Sequence, residues 1–316
     1  MFGYLIRRLG TAILIVLCVS MVTFAMLHII FPSPAIVVLG AKPSHAATEA
    51  FNKQWGYNLP LWHQYIRYLD QLLHGNFGWS FHSNQSVGSL FKERFPLSAF
   101  LSFSSLLVAV IIALPLGIFQ AIKRNSVGDV AATTVTFVLY SMPVFFFAVI
   151  LIDVFALQLG WVDSGVNADQ GSLSAQLADF KDLILPIVSL SLTQVASFSR
   201  YQRSAALDVL SQDYIKVARA KGLAERLIYV RHLVRNASLP MVTLIGLSIP
   251  SLIAGNLLIE YAFNINGLGN LFIQSLGFED YNTLLAYTLL GAIATVIGNL
   301  VADIALTIAD PRIRLV

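Results

Sequence analysis

Six stretches of about 20 mostly apolar residues punctuate the chain, and they constrain its fold more than any other feature. A helix needs about that many residues to cross a hydrocarbon core about 30 Å thick, and in lipid the backbone must satisfy its own hydrogen bonds. The stretches cover approximately residues 9–31, 97–119, 130–152, 182–198, 239–262 and 283–308. Composition agrees: 57% of the 316 residues are hydrophobic and 12% are charged, about half the charged share of an average soluble domain. These observations predict an all-α, polytopic membrane protein, a single domain over residues 1–316 with six transmembrane helices. The fourth stretch is short and carries Ser189, Ser191, Thr193, Gln194 and Ser197, so it is expected to face protein or water instead of lipid.

Arg7 and Arg8 precede the first stretch as they would in a signal peptide. That stretch is longer than an h-region of about 7–15 residues and has no small-residue cleavage site, so it reads as an uncleaved first span. Fourteen of the twenty lysines and arginines fall in alternate connections: Arg7, Arg8, Lys123, Arg124, eight between 200 and 238, Arg312 and Arg314. By the positive-inside rule those segments are cytoplasmic and both termini lie inside. The pI of about 9.0 therefore reflects membrane orientation and not nucleic-acid binding. Cys18, the single cysteine, excludes a disulfide within the chain.

Two connections are long enough to have structure. In the outer one, residues 32–96, Pro60 opens a stretch with Trp62, Tyr65, Ile66, Leu69, Leu72 and Leu73 at helical spacing, and Gly75 closes it. This amphipathic helix rests either on the membrane interface or on the remaining outer surface. In the cytoplasmic one, residues 200–238, Asp213 is the expected N-cap of a short helix through Tyr214, Lys216, Val217, Ala218, Arg219, Ala220 and Lys221, with Gly222 as its stop. A second helix is expected over 224–236, and Pro240 is placed to begin the fifth span.

The chain lacks the phosphate-cradling pattern G-x-x-x-x-G-K-[ST] and the H-E-x-x-H pattern. No catalytic or metal-binding constellation can be assembled, and His45, His63, His74 and His82 lack tight ligand spacing. His28 reads as an interfacial or packing residue and His232 as solvated or paired. Asp153, Glu260 and Asp303 lie in or at the edges of spans, where a charge needs water or a partner; Asp303 suits helix packing. Gln194, Asn256 and Glu260 are candidates for polar surface on a solute path. Pro115, Pro143, Pro186 and Pro250 fall in four spans and suggest helices that bow around a pathway.

The cytoplasmic run Arg200-Tyr201-Gln202-Arg203-Ser204, then Asp213 to Leu223, then Arg231-His232 and Arg235 to Pro240, resembles the permease subunits of dipeptide, oligopeptide and nickel importers of the ABC type. Arg7-Arg8, Gln64-Tyr65 through Gly75-Asn76-Phe77-Gly78, Gly267-Leu268-Gly269 and the ending Ala309-Asp310-Pro311-Arg312-Ile313-Arg314 are similar to the same family. The chain departs from it at Pro32-Ser33-Pro34-Ala35, where Gly-Asp-Pro is common, and at Lys216-Val217-Ala218, where the broader pattern has Glu-Ala-Ala.

The resemblance implies a cell-membrane permease that forms half of a translocation pathway for peptides, with a nickel or other small-solute importer as the alternative. It further implies a second homologous permease, two ATPase subunits that bind ATP and Mg, and an extracytoplasmic solute-binding protein. No cofactor is expected in this chain. The segment Asp213 to Gly222 is implied to receive the ATPase stroke. A self-contained secondary transporter is the competing class, but no internal repeat is visible.

Overall fold

The computed structural model describes residues 2–31, 33–40, 43–163, 165 and 180–309. The ending 310–314 and the acids Asp169 and Asp179, expected on the outer side, lie outside the described residues.

Helix α1 (Phe2–Ile30) leads into a cap of α2 (Ala35–Leu39), α3 (His45–Trp55), α4 (Leu61–Leu73) and a two-stranded ribbon, β1 (Trp79–Ser80) with β2 (Gln85–Ser86). α5 (Val87–Ile122), α6 (Val127–Ser141) and α7 (Val144–Leu151, extended by a π-helical stretch Ile152–Gln158) follow. Next come α8 (Phe180–Leu210), the short α9 (Asp213–Ala220) and α10 (Glu225–Ile228), which continues through a π-helical turn, Tyr229–Val234. α11 (Leu239–Leu247), α12 (Ile249–Ala254), α13 (Leu257–Ala262), α14 (Leu268–Gly277) and α15 (Tyr281–Ala309) complete the described chain.

Five of the six expected spans are helices long and apolar enough to cross a membrane. The third, expected over 130–152, is not one helix: α6 and α7 meet at 100°. Pro143 has no N–H to donate, and the residue before a proline is pushed out of the α region, where Met142 has φ −88° and ψ 136°. The fifth also departs from its expected bounds. Its helical run begins at Glu225, passes through Pro240 and ends at Ala254, and Gly255, at φ +79°, turns the chain so that α13 is a separate element.

α5 and α8 form the central pair. The buried face of α5 is a ladder of small residues, Ser98, Ser102, Ser105, Ala109, Ala113, Gly117 and Ala121, at spacings of three and four. Small residues let membrane helices approach closely. At Gly117 a methyl group would sit 2.6 Å from the Ser199 carbonyl oxygen and 2.9 Å from the Arg203 nitrogen, so only glycine fits that crossing. The polar residues expected to make α8 face protein do so in part: Ser189 and Ser191 are buried, Thr193, Gln194 and Ser197 are half-buried, and Ser189, Ser191 and Thr193 return their hydroxyls to carbonyls of the preceding turn.

Of the two alternatives for the amphipathic helix, packing on the rest of the chain is seen for one of its faces. One face of α4 packs on α1, with Tyr65 Oη 2.8 Å from Ser20 Oγ and Gln64 Oε1 2.8 Å from His28 Nε2, while Leu61, Trp62, Ile66 and Leu73 remain exposed. Gly75 ends the helix at φ +72°, as expected. His28 is the packing residue the sequence indicated, enclosed by Phe24, Gln64 and Tyr281. Asp303 pairs with Arg8 and ties α15 to α1.

Candidate functional site

Two places concentrate the residues expected to act. The first is the connection from Arg200 to Ser238. α8 runs directly into α9 through Ser211 and Gln212, so the short helix is fixed to a long one without a flexible linker. Gln212, not Asp213, occupies the N-cap position; Asp213 is the first helical residue, and its carboxylate takes a 2.8 Å bond from Lys216 Nζ in place of capping. That bond holds the Asp213 carboxyl below its ordinary pKa.

The helix closes one residue earlier than expected, at Ala220. Lys221 is the C-cap, and Gly222 follows at φ +75°. Leu223 N donates to Ala218 O (3.2 Å) and Gly222 N to Arg219 O (2.9 Å), a paired closure that requires the left-handed conformation at Gly222. Arg219 then reaches across the turn to Glu225, with Nε 2.7 Å from Oε1 and Nη2 3.2 Å from Oε2. The carboxylate holds the Arg219 pKa above its ordinary value. Lys216 and Arg219 are therefore engaged within the chain, and Lys221 makes no ion pair among the described residues.

Burial divides α9 sharply. Ile215 and Ala218 pack against Val209, Leu223 and Ile228, whereas Tyr214, Val217, Ala220 and Lys221 are exposed. Ala218 is 8% exposed and belongs to the inner face. Spacing explains this: 215 and 218 lie one turn apart, on the same side as the apolar end of α8. Leu227, Val230 and Val234 on the returning helix extend the exposed apolar surface.

The second place gathers Asn256 and Glu260 but not Gln194. Glu260 is 1% exposed. Its Oε2 accepts from Gly269 N (2.7 Å) and Asn270 N (3.2 Å), and its Oε1 accepts from Asn256 N (3.0 Å). The carboxylate thus caps the N-terminus of α14, where unpaired N–H groups and the helix dipole favour a negative charge. Ser98 Oγ takes the remaining early donor, Leu268 N, at 2.8 Å. Glycine lines this knot because nothing larger fits: a methyl at Gly255 or Gly267 would collide with the Glu260 carboxylate, and one at Gly269 would come within 2.8 Å of Leu257 N. Glu260 is accordingly enclosed by its own chain and presents no oxygen to a path.

Asn256 is half-buried, with Nδ2 2.9 Å from Ser102 Oγ, and it lines an open groove of about 510 Å³ with Ser251, Gly255, Tyr287, Gly291 and Thr295. Gln194 lies on α8 outside that groove, its Oε1 buried with no hydrogen-bond partner among the described residues.

Two features were not read from the sequence. Asp129, in the first turn of α6, is 3% exposed and takes a bidentate pair from Arg203, Nε 3.1 Å and Nη2 2.9 Å, together with Asn125 N and Thr133 Oγ1. The capping spacing Ser126-x-x-Asp129 was its one local sign. Arg200, one turn before Arg203, instead stacks over the Tyr140 ring at 4.6 Å.

Comparison with known proteins places this geometry in context. Residues 113–315 match the family model described as binding-protein-dependent transport system inner membrane component, and residues 1–102 match the N-terminal model of the same systems. The oligopeptide transport system permease protein AppB of Bacillus subtilis is 36% identical over 316 residues, covering 99% of this chain and 100% of the relative. The glutathione transport system permease protein GsiC of Escherichia coli is 33% identical over 314 residues, covering 99% of each. Among solved structures, an inward-facing methionine ABC transporter, MetNI, shares the fold with a TM-score of 0.52 at 20% identity, covering 71% of this chain and 97% of that one.

Proposed function

Since the chain belongs to the family of binding-protein-dependent transport system inner membrane components, we propose that it is one of two similar permease subunits of an ATP-driven peptide importer. Peptide as cargo is supported by the two relatives named for oligopeptides and for glutathione, itself a short peptide. The Walker-type pattern is missing from the sequence, so ATP and Mg belong to two partner ATPase subunits. A solute-binding protein delivers cargo to the outer face. The fourteen-to-six division of basic residues supports cytoplasmic termini and a cytoplasmic α9.

One observation carries the coupling role: α9 is a short helix closed at its C-terminus by two backbone bonds, and its outer face is bare among the described residues. Closure of the ATPases moves α9, and α9 is joined at one end to α8 and at the other, through the Arg219–Glu225 brace, to the helical run Glu225–Ala254. A displacement there reaches two spans at once, and through α8 it reaches α5. Of the residues expected on the path, Asn256 keeps that proposed role, since it borders an open groove at the end of that run.

The test is reconstitution in proteoliposomes with the second permease, the ATPases and the binding protein. Peptide uptake that requires ATP and the binding protein is expected. Uptake by this chain without ATPases, driven by an ion gradient, would contradict the reading.

A further inference from the structure

α6 is attached to its neighbours differently from the other spans. Phe24 of α1, Leu101 of α5, Leu190 of α8, Met241 of α11 and Leu284 of α15 each belong to a buried apolar cluster, whereas no described residue of α6 joins one. The two side chains buried on α6, Asp129 and Thr136, are polar, and Val130, Val135, Phe137 and Val138 are exposed. Asp129, Thr133, Thr136 and Tyr140 recur at spacings of four, three and four, so they share one face of the helix. That face meets α8 and α5 through directed contacts: Arg203 on Asp129 at 2.9 and 3.1 Å, Gln120 Nε2 on Thr133 Oγ1 at 3.2 Å, and Arg200 over the Tyr140 ring at 4.6 Å. A bidentate guanidinium–carboxylate pair fixes angle as well as distance, which apolar packing does not.

The pair also sits where a stroke would enter. Arg203 is seven residues before the end of α8, about 10 Å along its axis, and α9 follows after Ser211 and Gln212. Asp129 is in the first turn of α6, just after Lys123 and Arg124, on the side that the basic residues assign to the cytoplasm. Its carboxylate accepts four hydrogen bonds, two from Arg203, one from Asn125 N and one from Thr133 Oγ1, and at 3% exposure it is closed to solvent. At its far end α6 turns through 100° into α7. There Val144 borders the groove that Asn256 lines, and Ala148 packs in one cluster with Ile259 and Phe263 of the α13 region.

We propose that Asp129 and Arg203 are positioning residues that clamp α6 to α8, so that a displacement of α9 is carried through α8 into α6, α7 and the wall of the Asn256 groove. Without the clamp α8 moves and α6, which has no apolar cluster to hold it, does not follow. The inference deepens the importer reading and rests on it.

The test uses the complete complex, with both permeases, the ATPases and the binding protein, in proteoliposomes. The informative quantity is ATP hydrolysed per peptide imported, which does not depend on how much complex is recovered. Asp129→Asn and Arg203→Gln should each raise that ratio about tenfold, the scale of one lost charge-assisted bond, while hydrolysis continues. The reversed pair, Asp129→Arg with Arg203→Asp, should return the ratio part of the way to wild type, because the two charges still meet. Single variants with the wild-type ratio overturn the proposal and leave the pair as a staple of the fold; a reversed pair no better than either single variant is equally contrary. If these variants do not assemble, the native seam decides the matter. Spin labels on Val130→Cys of α6 and Ser204→Cys of α8, both exposed positions, in a Cys18→Ser background should keep one separation with and without ATP, and a separation that changes overturns the clamp. A wild-type complex that hydrolyses ATP yet imports no peptide would overturn the importer reading itself, and this proposal with it.

Discussion

The Glu260 knot and the α9 hairpin use the same parts, short helices closed by glycine at positive φ and charged side chains at helix ends, to opposite purpose. In the knot each donor at the start of α14 finds an acceptor inside the chain, and three glycines leave no space for a methyl group. At Gly222 a methyl group would find nothing within 4 Å, and the outer face of α9 is bare. The charge in the knot is satisfied within the chain, whereas the exposed face of the hairpin is the surface proposed to meet the ATPase.

The largest effect expected from breaking this contrast is at Glu260. Glu260→Ala strands three buried N–H groups, each worth about 1–3 kcal/mol when left without an acceptor. Folded protein should fall sharply in detergent melting assays, with Glu260→Gln intermediate. A Glu260→Ala subunit that melts with wild type would mean the knot is not structural.

Glycine replacement sharpens the comparison at smaller magnitude. Gly267→Ala forces a methyl against the Glu260 carboxylate and Ser98 hydroxyl and should cost about 1–3 kcal/mol through overpacking. Gly222→Ala meets no atoms and should cost about 1–2 kcal/mol, from backbone conformation alone. The first should lower the melting temperature of the permease; the second should largely spare it and weaken ATPase retention on purification. Equal melting shifts would erase the distinction between the two sites.

Asp280 offers the smallest effect. It is 3% exposed, and its Oδ2 accepts from Ser80 and Thr283 while Oδ1 is buried with no hydrogen-bond partner among the described residues. Burial raises its pKa, and the hydrogen bonds and His82 offset only part of that. A group whose folded pKa is raised contributes stability that is complete below its unfolded value of about 4 and is lost as pH rises through the folded value. The melting temperature of Asp280→Asn relative to wild type should therefore climb as pH rises from about 4 towards neutrality. A flat difference would show that the carboxylate is compensated.

Hydropathy made five spans legible, because length and apolarity are local properties. Pro143 was marked as a place where a span bows, but the 100° turn there and the break at Gly255 were not expected, because the apolar run continues through both and a window over 130–152 or 239–262 registers no interruption. Glu260 was visible as a charge in a span, but two of its donors come from Gly269 and Asn270 across a turn that no pattern announces. Asp129 and Arg203 are separated by 74 residues, a pairing fixed only by the α6–α8 crossing. The segment Asp213 to Gly222 was legible almost to the residue because its closing signal, a glycine after a short amphipathic run, is local.

The central claim is that the outer face of α9, and not its inner face, receives the ATPase. Single cysteines at Val217, Ala220 and Ala218, in a Cys18→Ser background, would be cross-linked to cysteines on the partner ATPase within the assembled complex. Val217→Cys and Ala220→Cys, on the exposed face, should form adducts that change between ATP-bound and ATP-free states, while Ala218→Cys, packed on Ile215 and Ile228, should form none. Adducts at Ala218 with silence at Val217 and Ala220 would contradict the account and move the coupling surface elsewhere.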